Sequence, residues 1–108
     1  MSRYYLAFLS TVLVVPLLPA QAVIEHISPP VLERGKPTRV TFVGRELDGA
    51  LDVWHSLPQG NIKAKVLESS EKSATFELTA SGDSPVGVCG LRVATKHGLS
   101  NLHLFLLD

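Results

Sequence analysis

The chain has 108 residues, with ten basic side chains against ten acidic ones, a pI near 6.9 and one cysteine. That length holds one small domain. The balanced charge argues against the basic surface that nucleic acid requires. A single cysteine excludes an internal disulfide, and the four histidines are scattered without a metal-ligand spacing.

Met1 to Ala22 reads MSRYYLAFLSTVLVVPLLPAQA. Arg3 supplies a short positive region, Tyr4 to Leu18 is almost wholly apolar, and Ala20-Gln21-Ala22 has the small-x-small form that signal peptidase accepts. Pro16 and Pro19 end any helix ahead of that point. A membrane anchor needs about 20 apolar residues and a basic flank, and neither is present. No cysteine follows the run, so a lipoprotein anchor is excluded. The expectation is a cleaved signal peptide over residues 1–22, cleavage after Ala22, and a mature chain of residues 23–108 without a membrane span. Its destination is the periplasm, the cell surface or the medium.

From Val23 onward, apolar residues recur at every second position between turn signals, the pattern of strands. Val23 to Ile27 is a first strand, stopped by Ser28-Pro29-Pro30. After the Arg34-Gly35-Lys36-Pro37 turn, Thr38 to Val43 turns Val40 and Phe42 to one face. Leu51 to His55 is a third strand, with Leu51 and Val53 on a shared face. Ile62 to Leu67 points Ile62, Ala64 and Val66 inward and both lysines to water. Ser73 to Thr79 buries Ala74, Phe76 and Leu78. Val86 to Thr95 is interrupted by Gly87 and Gly90, which mark a bulge or a close backbone approach. Lys96-His97-Gly98 closes a hairpin into a last strand, Leu99 to Leu107, apolar on both faces. Two apolar faces fit either a covering domain or the packing of a small core. About seven strands at this spacing predict an all-β, immunoglobulin-like Greek-key sandwich.

The segment from ISPP through RG to TRVTFVGREL resembles the opening of immunoglobulin-like domains of the IPT/TIG type. The matching positions are Pro29, Gly35, Val40, Phe42, Gly44 and Leu47. Ala74 to Leu78 and the closing GVCGLRVATKHGLSNLHLFLLD agree, so the resemblance covers essentially the whole of residues 23–108. One glycine stands at the second turn, where many family members carry a pair. The form is similar to one near the N-terminus of large secreted bacterial proteins, often preceding a pre-peptidase C-terminal domain. The resemblance implies an extracytoplasmic interaction or spacer module and names no ligand.

Side chains with chemical potential are few. By parity Cys89 shares a strand face with Gly87, Leu91 and Val93, which fits an inert core thiol; an intermolecular bond is the alternative. Trp54 without a second cysteine disfavours the antibody subclass. His26, His55, His97 and His103 would bind metal only if the fold gathered them, so no metal and no cofactor is expected. Glu68 and Glu71 read as solubilising turn residues, and no nucleophile–base motif is present, so no enzyme is expected.

Trp54 is the one candidate interaction residue. With Val53 inward, it faces outward, where it could anchor a partner domain, stack on a sugar or cap a sheet edge. The expected partner is a neighbouring domain or another protein; carbohydrate has no further support. The function expected is a non-catalytic, structural or adhesive module, with an accessory domain of a larger secreted surface protein or hydrolase as the alternative.

Overall fold

The computed structural model describes residues 21–108. The expected signal segment therefore lies outside the described residues except for Gln21 and Ala22, of which Ala22 is fully buried. The strands are β1 (Val23–Ser28), β2 (Val31–Leu32), β3 (Thr38–Arg45), β4 (Ala50–His55) and β5 (Ile62–Ser69), followed by β6 (Ser73–Ala80), β7 (Gly87–Thr95), β8 (Gly98–Leu99) and β9 (His103–Leu107).

They form two sheets, ordered β1-β3-β6-β5 and β2-β9-β7-β4, with β8 pairing on β7. Lettered A to G in chain order, the seven long strands give A-B-E-D facing G-F-C, the immunoglobulin constant-type arrangement. Beside them, β2 is the continuation of the first strand. At Ser28-Pro29-Pro30 the chain leaves β3 and crosses to the other sheet, where Val31 and Leu32 pair in parallel with Leu106 and Leu107.

The core follows from the alternation. Val40 and Phe42 on β3 face inward with Ala74, Phe76 and Leu78 on β6, all at zero exposure. Phe42 sits opposite Ala74 and Val40 opposite Phe76, so each aromatic ring has a smaller cross-strand neighbour. The two rings meet edge-on at 90°, centroids 5.7 Å apart. Val53, Leu91, Val93, Phe105 and Leu107 close the core from the second sheet. Each such side chain contributes about 1.5–3 kcal/mol by leaving water.

Three expectations are corrected. Leu51 does not share the inward face of Val53: a register shift between Ala50 and Asp52 turns it out, and it is 66 % exposed. The last strand is not continuous from Leu99, because Ser100 leaves the ladder. Its buried hydroxyl accepts from the Val93 N–H at 2.8 Å and donates to the Asn101 carbonyl, filling the place of a backbone partner. Finally, Val31–Leu32 is a strand where the sequence reading had none. Gly90 does mark a close approach, but of a side chain: Leu102 lies over it, where a Cβ would stand.

Every sheet edge is blunted. Register shifts interrupt β1 between Ile24 and His26, β4 between Ala50 and Asp52, and β5 between Val66 and Glu68. The fourth edge, β2, has two residues. Short or bulged edges resist the addition of a further strand.

Candidate functional site

The outward faces of the two sheets differ in chemistry. On the first, Arg39, Glu77 and Lys65 form one cross-strand rung of alternating charge. Thr41 and Thr75 form another, their hydroxyls 3.1 Å apart. Val43 is also exposed on this face, at 38 %, but its neighbours there are charged or hydroxylated.

The second sheet presents apolar side chains instead. Val31, Leu106 and Val88 are consecutive partners across β2, β9 and β7, and make one rung. In the next rung Leu104 stands opposite Gly90, with Leu102 laid over the glycine. The missing Cβ of Gly90 lets Leu102 fold onto the sheet and join its neighbours. Beyond it, Arg92 pairs with Trp54 on β4. Val88 and Leu104 are 67 % and 65 % exposed, so their side chains stand free of the core. Six apolar side chains thus share one face, at exposures between 38 % and 67 %.

Trp54 lies at the border of this patch, 46 % exposed, facing outward as its alternation with buried Val53 requires. The Arg92 guanidinium carbon sits 5.7 Å from its ring centroid. Arg92 is held there from the other side, since its Nη1 donates to the Ser100 carbonyl at 3.1 Å. Beside Trp54 an open groove runs between the edges of β4 and β5, lined by Asp52, His55, Asn61 and Lys63 among others. His55 Nε2 and Asn61 Oδ1 span it at 3.1 Å.

Cys89 is on central strand β7, paired with Phe105 and 4 % exposed. Burial pushes its thiol pKa up, away from the reactive thiolate. The four histidines have separate surroundings: His26 is exposed on β1, His55 meets Asn61, and His103 meets its own neighbour's carbonyl. His97 differs. Its Nε2 lies 3.2 Å from both Asp48 oxygens and 3.7 Å from Glu46 Oε2. Lys96 Nζ is 3.1 Å from Asp48 as well. Lys96 first, then His97, hold the Asp48 carboxyl below its ordinary value of 3.8. Glu46, Asp48 and His97 could supply one ligand atom each to a metal ion, all within 4.8 Å of one another. Lys96 already pairs with Asp48 Oδ2, so the four side chains form a surface ion-pair network.

The outward exposure of Trp54, the burial of Cys89 and the two apolar faces of the last strand are legible in the sequence. The sequence does not join Val31 and Val88 to Leu104 and Leu106, because only the strand order brings them side by side. The sequence shows His97 only as part of a hairpin turn, and the β3–β4 connection brings Glu46 and Asp48 against it. The positive φ of Glu46, 56°, is not signalled by residue type. Neither the protein-family models nor the curated proteins contain a match to this chain.

Proposed function

We propose that the protein is a non-catalytic, exported immunoglobulin-like module that works by contact with another protein or a neighbouring domain. The contact surface is the outer face of the β2-β9-β7-β4 sheet, with Trp54 at its border. One observation carries this reading: a contiguous apolar face on one sheet, opposite a charged and hydroxylated face on the other. A contiguous face of this kind ranks with the largest apolar patch that a monomer carries, and such patches are often functional contact sites.

The blunted edges support a face rather than an edge as the contact. Arg92 over the indole supports protein contact over sugar stacking, because one side of the ring is already occupied. The A-B-E-D and G-F-C strand order fits the IPT/TIG resemblance, and the apolar run before Ala20-Gln21-Ala22 supports export.

The test is photocrosslinking in the producing cell, with a photoreactive residue replacing Leu104 or, as control, Arg39 on the charged face. Adducts from position 104 and not from position 39 are expected. No adduct from position 104, or equal yields from both, removes this reading. Intact mass of the recovered product checks export separately: a chain starting at Val23 is expected, and one that retains Met1 to Ala22 contradicts it.

A further inference from the structure

The apolar face raises the question of what covers it, and area and charge together select an answer. We infer that the occupant is a second copy of this chain, packed face to face through Val31, Val88, Leu102, Leu104, Leu106 and Trp54; the inference rests on the face being a contact surface, as proposed above.

Area comes first. At their exposures of 38 % to 67 %, these side chains present an apolar surface near the top of what one monomer carries, roughly 500 Å². A standard interface buries about 800 Å² per partner, and homodimer interfaces are about 65 % apolar, which is again about 500 Å². The face therefore supplies the apolar content of one complete homodimer interface. It also has the right form. Sheets pack face to face with interdigitating side chains, and an isologous contact needs one patch that complements itself.

Charge comes second. A partner of opposite charge would be met by a patch of one sign, and this face has none. Its one guanidinium, Arg92, is committed to the Trp54 ring and the Ser100 carbonyl. Asp52, nearby on β4, turns its Oδ1 to the Val53 N–H. Residues 23–108 keep nine of the ten basic side chains and all ten acidic ones, a formal charge of −1, so two copies meet with little long-range repulsion.

The experiment is sedimentation of the chain as its host processes it, from about 1 to 100 μM, where weak dimers dissociate and reform. A concentration-dependent dimer is expected for the native protein. Val88→Asp and Leu104→Asp should each weaken it by about 100-fold or more, because a buried charge without a partner faces its own copy. Both positions lie in water in one copy, so unchanged circular dichroism and melting of the dilute variants separate lost association from lost folding. Thr79→Asp, on the opposite face, should leave the dimer intact. A native protein that stays monomeric throughout, or a dimer that survives both aspartates, overturns the inference. A monomer that still crosslinks another protein from position 104 retires the second copy and keeps the contact face. A monomer without such crosslinks removes both.

Discussion

Asn101 closes a gap in the first strand with its side chain. Its Oδ1 accepts from the Ile24 N–H at 2.6 Å, and its amide nitrogen donates to the Ile24 carbonyl at 3.0 Å. The two residues are 77 positions apart, and the bond pair lies where the β1–β3 register shifts. One amide side chain thus stands in for a strand partner and ties the two sheets together. Asn101→Leu keeps the branching at Cγ and removes both bonds, so it should cost about 1–3 kcal/mol in urea denaturation. An unchanged midpoint would show that water replaces the side chain without loss.

Gly44 is required for space rather than for backbone freedom. A Cβ there would fall onto the Val23 carbonyl oxygen, which is backbone and cannot swing aside. Its own N–H donates to the Lys72 carbonyl at 2.9 Å, so the strand cannot easily retreat. Gly44→Ala should therefore cost about 3 kcal/mol or more, at the severe end of single substitutions. Gly35 is the useful contrast. It has φ of 76° and open space around it, so Gly35→Ala should cost only the left-handed penalty of about 1–2 kcal/mol. Equal losses at the two sites would contradict the steric account.

These details mark the limit of what periodicity discloses. Strands β3 and β6 were legible because Val40, Phe42, Ala74, Phe76 and Leu78 alternate without interruption, and all are buried. Leu51 fits the same alternation with Val53, yet the bulge before Asp52 turns it outward. A bulge inserts one residue and reverses parity, and no residue type announces it. Val31–Leu32 is too short to show any period, and pairing with β9 alone makes it a strand. The candidate face is legible only in part: Trp54 and the second apolar face of the last strand stand out in the sequence, whereas Val31 and Val88 look unremarkable until the sheet order sets them beside Leu106.

Cys89 should behave as a hydrophobic side chain. It is 4 % exposed on a central strand, and burial raises the thiol pKa, so little thiolate exists in the native state. Labelling by a thiol reagent at pH 8 should run about 100-fold or more slower in native protein than in denaturant. Fast and complete native labelling would show that the strand opens or that the sulfur lies at the surface.

Asp48 gives the molecule a defined response to acid. Lys96 and His97 lower its folded-state pKa below the ordinary 3.8. A carboxylate lowered in the folded state stabilises the fold above its unfolded pKa, and that stabilisation is lost as pH falls through the folded value. The melting temperature of Asp48→Asn should therefore lie below that of the native protein at neutral pH and converge with it below pH 3.8. Added salt should narrow the neutral-pH gap, because the pairs are open to solvent. A gap that stays constant with pH would assign the loss to packing instead of charge.

Trp54 provides an internal reporter for the contact face, since the chain has one tryptophan. It is 46 % exposed in a single copy and carries Arg92 on its ring. If the face is covered, the remaining indole surface leaves water, and emission should shift to the blue as protein concentration rises. Val88→Asp should abolish that shift while leaving the dilute spectrum unchanged, because Val88 lies two rungs away from the ring. Trp54→Ala should cost little in the isolated fold, about 0.5–1 kcal/mol from the exposed cation–π pair plus some packing. Its larger effect should fall on association, where aromatic anchors dominate. An emission maximum independent of concentration, in a protein that still sediments as a dimer, would place the copies elsewhere on the surface.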